Sequence, residues 1–356
     1  MSLIRSIRTI AALGLTGALV FGTVACGSSD SGSDGASGAK KDGGVTLRLG
    51  YFPNVTHGTA IVGVDRGIFA EALGDNTLKT SNFKDGTEAV EALNADAIDA
   101  TYIGTGPAIN LFQKSKGEAI RIVSGATSGG AAFVVAKSIK SADDLKGKTV
   151  SSPKLGNTQD VSLRAWLKSQ GLKTDITGGG DVKIFPQENA QTLDAFKAGD
   201  IAGAWLPEPW ASRLVLEGGG KVLVDERDLF DDGKFATTNL VVAKKFLDAH
   251  PDVVKQLLEG QVEADAWINA NPDKAKTIVN KGIGEITGKS LPAATIDAAW
   301  KNLTFTNDPI AASSQKAADD AKDAGLIDSS DISDLYSLDL LNEVLKAADQ
   351  DPVKGL

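Results

Sequence analysis

The feature that most constrains the fold is an alternation of short apolar or period-2 runs with helical stretches, which continues for about 200 residues. The first run, TLRLGYF, follows directly after Val45. Several runs lead at once into residues that favour helix starts. The predicted strands are 46–52, 79–83, 100–104, 120–126, 131–136, 148–152, 181–185, 201–206, 221–224 and 239–242. This pattern is typical of an α/β protein with parallel sheets.

Beyond His250 the pattern predicts helices only, over residues 251–268, 272–281, 292–300, 311–324 and 331–348. Pro251, Pro272 and Pro292 each suit a first helical turn. We therefore expect two parallel-sheet lobes with the helical C-terminal region packed back on the first. The chain is predicted to cross between lobes near residues 136 and 238, so that lobe I comprises 45–136 and 238–356 and lobe II comprises 137–237.

The N-terminal segment reads as an export signal that ends at the sole cysteine, Cys26. Arg5 and Arg8 precede an uncharged apolar run over 10–24, which is short for a transmembrane helix of ~20 residues. The segment resembles a bacterial lipoprotein signal, which predicts cleavage of residues 1–25 and lipidation of Cys26. Residues 26–44 would form a flexible tether, since 11 of the 18 residues in 27–44 are Gly or Ser. The alternative is a cleaved secretory signal with an incidental cysteine.

Composition excludes several classes of function. The chain has net charge −9 and a pI near 4.9, and its predicted mature form, with 35 basic and 46 acidic residues, has −11, so nucleic acid is not expected as a partner. One cysteine excludes a disulfide framework and thiolate-rich metal sites. There is no GxSxG, GxxxxGK[ST] or HExxH motif and no Cys-His dyad. We expect a protein that is not an enzyme and that uses no cofactor or metal.

Candidate binding residues lie in loops that connect a strand to a helix, where ligands meet the backbone N–H groups of helix starts. The loop 124–130 is predicted to be too small and flexible for a core strand, and it forms either a pocket wall or merely a loop. Structural roles are the alternative for His57, Gly86 and the glycines of that loop. The first-lobe candidates are Asn54, Thr56, His57, Gly86, Thr105, Gly106, Gly129 and Gly130.

The second lobe offers two further candidate loops. In the first, Asn157 or Thr158 would cap a helix over 161–170, while Asp160 more simply balances the helix dipole. The second follows a strand and places two indoles and one carboxylate around two prolines, although core burial would also explain the tryptophans. The second-lobe candidates are Asn157, Thr158, Gln159, Trp205, Glu208 and Trp210.

From about Val45 to Asp349 the chain resembles the solute-binding proteins of ABC importers, in the branch that handles aliphatic sulfonates, taurine, nitrate and pyrimidine precursors. The resemblance rests on the order and spacing of LGYFPNVTHG, EALNADAIDATYIGTGPA, SADDLKGKTV, PKLGNTQDVSLRAWL, AFKAGDIAGAWLPEPWASRL and TTNLVV. It implies a two-lobed type II periplasmic-binding fold that closes on a small anionic or zwitterionic ligand. The implied partners are the membrane permease and the ATPase of the importer.

The resemblance implies an extracytoplasmic importer component, exported and lipid-anchored on the outer face of the cytoplasmic membrane or periplasmic, and we expect a monomer. Its ligand would be an aliphatic sulfonate, taurine or a sulfate ester, held by neutral donors at helix starts. Glu208 would then either stabilise structure or meet a cationic group such as the amine of taurine.

Two alternatives stay open within this fold: a binder of nitrate or bicarbonate, and a binder of a thiamine pyrimidine precursor. For the pyrimidine binder, Asn54 and His57 would contact the flat ring and Trp205 and Trp210 would stack on it. A related pyrimidine synthase uses a histidine and a cysteine-rich stretch to hold iron. That enzyme is disfavoured, because this chain has only Cys26 and two histidines.

Overall fold

A computed structural model describes residues 44–356, which form two mixed β-sheets flanked by helices. The predicted signal, most of the tether and Cys26 lie outside the described residues. Among residues 44–356, no helix is both long enough and apolar enough to span a membrane.

Eleven strands are present in residues 44–356. They are β1 (Thr46–Tyr51), β2 (Thr77–Asn82), β3 (Ala100–Ile103), β4 (Ile120–Gly129), β5 (Ala131–Val135), β6 (Thr149–Ser152), β7 (Lys183–Pro186), β8 (Gly203–Pro207), β9 (Lys221–Asp225), β10 (Ala236–Ala243) and β11 (Leu303–Phe305). The first sheet has the order β11-β4-β10-β3-β1-β2 and the second the order β7-β6-β8-β5-β9. In each sheet a parallel core, β2-β1-β3 or β7-β6-β8, is extended by antiparallel strands.

Helices follow most of the parallel strands. They are α1 (Gly58–Asp65), α2 (Ile68–Ala72), α3 (Gly86–Asn94), α4 (Thr105–Lys114), α5 (Thr158–Ser169), α6 (Asn189–Ala198), α7 (Trp210–Leu216), α8 (Lys244–Ala249), α9 (Pro251–Ala270), α10 (Pro272–Thr287), α11 (Ala293–Trp300), α12 (Ala311–Asp323) and α13 (Asp339–Ala347). Short 3-10 turns cover Val55–His57, Ala142–Leu145, Glu226–Leu229 and Asp231–Gly233. Because β1, β2, β3, β6, β7 and β8 each lead into a helix or 3-10 turn, six such starts lie at the carboxyl ends of strands.

We call the first sheet with its helices the first lobe, and the second sheet with α5, α6 and α7 the second lobe. The chain leaves the first sheet at Gly129 and Gly130, whose φ angles of 76° and 75° turn it out of β4. The predicted crossing at residue 136 is wrong by about six residues, because β5 pairs with β8 and β9 of the second sheet. The chain returns when β10 begins at Ala236, two residues before the predicted position.

Three further expectations are corrected. Residues 124–129 are not a loop but the buried second half of β4, where a Cβ on Gly125 would lie 2.2 Å from the Asp308 carbonyl oxygen. The region beyond residue 250 contains the short edge strand β11, which pairs with β4. Residues 331–338 are not helical, because the Leu335 carbonyl accepts a hydrogen bond from the backbone N–H of Ile122 at 2.8 Å.

The apolar core of the first lobe includes side chains from the C-terminal helices, among them Leu257, Val279 and Leu341. The C-terminal region therefore packs on the first lobe, as the sequence predicts. The second lobe has two separate clusters, one around Phe133 and Trp205 and one around Phe196 and Leu214. Each lobe therefore has its own apolar core.

Candidate functional site in the cleft between the lobes

A pocket of about 40 Å³ lies between the lobes at the carboxyl ends of the parallel strands. The first lobe lines it with Phe52, Asn54, Thr56, His57, Lys84, Asp85, Gly86, Gly104, Thr237 and Thr238. The second lobe contributes Pro153, Asn157, Thr158, Gln159, Asn189 and Pro207. Seven of the fourteen predicted site residues therefore share one pocket: Asn54, Thr56, His57, Gly86, Asn157, Thr158 and Gln159.

The start of α5 presents free hydrogen-bond donors to this pocket. The backbone N–H groups of Thr158 and Gln159 donate to no acceptor within residues 44–356, as expected for the first turn of a helix. The side-chain amide of Gln159, a residue only 5% exposed, likewise has no partner in that part of the chain. Free N–H groups and the positive end of the helix dipole together favour an anion at this position.

At the starts of α3 and α4, backbone N–H groups already donate hydrogen bonds, either to the opposite lobe or to the residue that caps the helix. The Gly86 N–H donates to Asn157 Oδ1 at 3.2 Å, and the Gly106 N–H donates to Thr158 Oγ1 at 3.0 Å. The next N–H groups of α3 donate to the capping carboxylate of Asp85. The lobes thus touch directly across the cleft, and of these three starts α5 keeps the most free donors.

His57 contributes a neutral imidazole to the first-lobe wall. It is stacked on Phe52 with ring centroids 4.3 Å apart, and its Nδ1 accepts a hydrogen bond from the Phe52 N–H at 3.2 Å. Burial lowers the pKa of His57 to about 3. The ring is therefore uncharged at neutral pH, and it carries its proton on Nε2 because Nδ1 is an acceptor.

A buried ion pair between Asp160 and Arg164 holds the start of α5 in place. Asp160 accepts hydrogen bonds from Ser152 Oγ at 2.7 Å and from the Gly156 N–H at 2.9 Å. Arg164 Nε donates to the same carboxylate at 3.0 Å, and both side chains are at most 3% exposed. Asp160 therefore orders the loop that carries Asn157, consistent with the structural role considered for it.

Glu208 and Trp205 lie away from this pocket. Trp205 is fully buried, stacks on Phe133 at 5.5 Å and donates from Nε1 to Glu226 Oε2 at 2.6 Å. Glu208 accepts hydrogen bonds from the Ser212 N–H and from Asn302 Nδ2. It lines a separate cavity of about 310 Å³ beside α7 and α11, and burial raises its pKa. These two residues do not line the cleft pocket.

The remaining predicted residues support the cleft without lining the pocket. Trp210 Nε1 donates to Asn54 Oδ1 at 3.2 Å across the cleft, and Asn54 Nδ2 donates to no acceptor within residues 44–356. Thr105 Oγ1 donates to the Ala236 carbonyl at 2.8 Å, so its hydroxyl is engaged with β10. Gly129 and Gly130 form the first crossing between the lobes and do not line the cleft pocket, although Gly129 lines a separate cavity of about 370 Å³.

Nine residues that line the pocket were not predicted from the sequence. Some of them follow a sequence pattern that could have identified them, and others do not. Asp85 is followed by Glu88 three residues later, a helix-start pattern that could have identified it and the adjacent Lys84. Thr237 and Thr238 belong to the TTNLVV motif of the resemblance, but the sequence did not identify them as site residues, because the position of β10 between β3 and β4 brings them to the cleft. In residues 44–356, no group of three His, Cys, Asp or Glu side chains is placed to hold a metal ion. The other missed residues are Phe52, Gly104, Pro153, Asn189 and Pro207.

A family model described as the NMT1-like family matches residues 40–281. The chain belongs to this family. The taurine-binding periplasmic protein of Escherichia coli (strain K12) is 30% identical over 198 residues, which are 55% of this chain and 59% of that relative. The chain thus matches less than two thirds of the length of that relative.

Solved structures share the fold of this NMT1-like family member. The alkanesulfonate-binding protein SsuA from Xanthomonas axonopodis pv. citri, bound to MOPS, has a TM-score of 0.67 at 19% identity, covering 81% of this chain and 96% of its own. The periplasmic nitrate-binding protein NrtA from Synechocystis PCC 6803 has a TM-score of 0.70 at 17% identity, and the match covers 87% of this chain and 91% of NrtA. The predicted fold class, a two-lobed type II periplasmic-binding fold with a helical C-terminal region, is confirmed.

Proposed function

We propose that this protein is the extracytoplasmic solute-binding component of an ABC importer, without catalytic activity of its own. Its ligand is a small organosulfur anion, either an aliphatic sulfonate, taurine or a sulfate ester, held between the two lobes. The observation that carries the proposal is the start of α5, where the N–H groups of Thr158 and Gln159 and the Gln159 amide remain free beside the pocket. The names of the taurine-binding relative and of SsuA support the ligand class.

The pocket would hold such an anion by neutral donors and not by a buried cation. Among the described residues that line the pocket, Lys84 is the one cation, and its side chain is 68% exposed at the rim. Oriented N–H dipoles favour an anion over the first turn of a helix, whereas the net surface charge is screened over about 8 Å at physiological salt. The acidic composition of the chain therefore does not oppose anion binding in the cleft.

The test is a thermal-shift panel on the purified protein with alkanesulfonates, taurine, alkyl sulfates, nitrate, bicarbonate and a hydroxymethylpyrimidine. A ligand at 100 times its Kd adds about 2.7 kcal/mol, which moves the midpoint by a few degrees. We expect an organosulfur anion to give the largest shift. A shift with the pyrimidine alone, or with nitrate or bicarbonate alone, would overturn the proposed ligand class.

A matched pair of variants on α5 locates the site. Gln159→Ala removes an amide in the pocket, whereas Gln170→Ala removes one at the exposed far end of the same helix. We expect Gln159→Ala to weaken binding of the organosulfur ligand about tenfold, as for a lost hydrogen bond to a charged group, and Gln170→Ala to leave it unchanged. Equal affinities for the two variants would place the ligand elsewhere.

We further propose that the protein is a monomer, exported and lipidated at Cys26, so that residues 26–44 tether the body to the membrane. The support is the sequence: a basic start, an uncharged apolar run over 10–24 and a Gly/Ser-rich segment after the cysteine. Cys26→Ser should move the protein from the membrane to the soluble extracytoplasmic fraction. An unchanged distribution between these fractions would contradict the lipid anchor, and light scattering on the purified protein tests the monomer.

A further inference from the structure

The carboxylate of Asp85 lies in the wall of the cleft pocket. Asp85 precedes α3 and is 6% exposed, and it lines the same pocket as Thr158 and Gln159. A buried carboxylate costs free energy unless hydrogen bonds or an opposite charge compensate it. What compensates Asp85 therefore bears on the ligand that the pocket accepts.

Residues 44–356 donate hydrogen bonds to only one of the two oxygens of Asp85. Oδ1 accepts hydrogen bonds from the backbone N–H groups of Thr87 at 2.8 Å and Glu88 at 3.2 Å, which caps α3. Oδ2 accepts no hydrogen bond within residues 44–356, and it is not among the fully enclosed atoms that lack a partner. Since an ionised carboxylate has about four acceptor positions, Asp85 retains capacity for further donors.

No cation of the described chain pairs with Asp85. The adjacent Lys84 points its ammonium toward Glu188, at 3.8 Å, and its side chain is 68% exposed. Within residues 44–356, Asp85 takes part in no ion pair shorter than 4 Å. The pocket wall thus carries a negative charge that this part of the chain leaves without a counter-ion.

One hydrogen bond across the cleft connects the loop of Asp85 to the loop that carries the free donors of α5. Gly86, which follows Asp85, donates from its N–H to Asn157 Oδ1 at 3.2 Å. Thr158, which follows Asn157, is the first residue of α5. Asp85, Thr158 and Gln159 also line the same pocket, so a ligand in that pocket lies between the N–H groups of α5 and the carboxylate of Asp85. The pocket offers donors to an anion on the second-lobe side and an acceptor to a cation on the first-lobe side.

We propose that Asp85 makes the cleft specific for a zwitterion, an aminoalkanesulfonate with a short chain, by receiving the ammonium group of the ligand. This inference rests on the proposed function and assigns the role of cation acceptor to Asp85 in place of Glu208. An anion without an ammonium group would meet the unpaired carboxylate with the same sign of charge, which disfavours it. Asp85 is then the residue that separates taurine-like ligands from simple alkanesulfonates and nitrate.

The experiment measures the affinities of taurine and ethanesulfonate, which differ by one amino group, for the purified full chain by calorimetry. We expect taurine to bind at least about tenfold more tightly, the factor for a hydrogen bond between charged groups. Asp85→Asn keeps a side-chain oxygen to cap α3 but removes the charge. It should abolish the preference, weakening taurine while leaving ethanesulfonate equal or tighter.

Glu208→Gln is the matched control, because it removes a buried carboxylate outside the pocket, and it should keep the preference. The wild-type comparison needs no variant, so the inference can fail even if Asp85→Asn does not fold. Equal or tighter binding of ethanesulfonate by the wild type overturns the role of Asp85 and leaves the proposed function intact. Binding of neither sulfonate also overturns the role of Asp85, and the thermal-shift panel with longer alkanesulfonates and alkyl sulfates then decides separately whether the proposed function stands.

Discussion

At the scale of single residues, His57 and Asp265 of the first lobe are both buried and both uncharged at pH 7. Burial disfavours the charged form of any side chain, so it lowers the pKa of His57 to about 3 and raises the pKa of Asp265 to about 8. Asp265 lies under the first sheet, where it accepts hydrogen bonds from Thr59 Oγ1 at 2.5 Å and Gln261 Nε2 at 3.2 Å. Neither the His57 ring in the cleft wall nor the Asp265 carboxyl in the core of the first lobe therefore carries a charge at pH 7.

Asp265 gives a pH dependence of stability with a defined sign. In the folded protein it holds its proton up to about pH 8, whereas in the unfolded chain it loses it near pH 3.9. Folding therefore takes up a proton between about pH 4 and pH 8, and the free energy of unfolding falls as pH rises through that window. Asp265→Asn, which is neutral at every pH, should lack this contribution.

Urea denaturation at pH 5, 6.5 and 8 checks the prediction. The stability of the wild type relative to Asp265→Asn should decrease by on the order of a few kcal/mol from pH 5 to pH 8. His57 acts in the opposite sense, since its depressed pKa costs stability as pH falls below about 6.5, but it is present in both proteins and cancels. A difference that stays constant with pH would show that Asp265 is ionised in the folded state.

At the scale of elements, the start of α5, which we propose as the anion site, lies within one turn of a buried ion pair that anchors the helix. Asp160 and Arg164 are one turn apart on α5, and both are almost fully enclosed, at 0% and 3% exposure. A buried ion pair is not in itself strongly stabilising, but removing one partner leaves an uncompensated charge. The geometry of the N–H groups that we propose as the anion site thus depends on this buried ion pair, which does not line the pocket.

Asp160→Asn should therefore destabilise the protein by about 3–5 kcal/mol, because it leaves the Arg164 guanidinium buried without its counter-charge. Arg213 and Glu217 have the same spacing on the chain but are 24% and 28% exposed. Glu217→Gln should cost less than about 1 kcal/mol, since partly exposed pairs are weak. Chemical denaturation of the two variants measures both values, and equal losses would contradict the role of burial.

The sequence predicts elements well where the signal is local. The strands before α3, α4 and α5 and the glycine- and proline-rich starts of those helices are visible as short patterns, and so half of the predicted site residues line the pocket. The failures depend on contacts distant in sequence. Gly129 and Gly130 turn β5 into the second sheet, β11 exists by pairing with β4, and Thr237 reaches the cleft through β10. No pattern within a few residues encodes such pairings.

At the scale of the whole molecule, the two lobes approach each other across the cleft with backbone against backbone. Gly106 lies where α4 meets α5, and a Cβ at this position would lie 2.7 Å from the Thr158 nitrogen and 2.9 Å from its Cα. Both neighbours are main-chain atoms of the opposite lobe, which cannot rotate away as a side chain can. The φ angle of Gly106 is not in the left-handed region, so within its own lobe an alanine is unstrained.

Gly106→Ala should therefore leave folding intact while it impairs closure. Alanine also favours the helix at this position relative to glycine, so the midpoint of unfolding without ligand should not fall. The affinity for the ligand that stabilises the wild type most should fall about tenfold, because the lobes must give way to a methyl group at about 1–3 kcal/mol. Small-angle scattering should show that the ligand compacts the wild type more than the variant. Wild-type affinity and compaction in Gly106→Ala would mean that the lobes do not approach this closely when the ligand is bound.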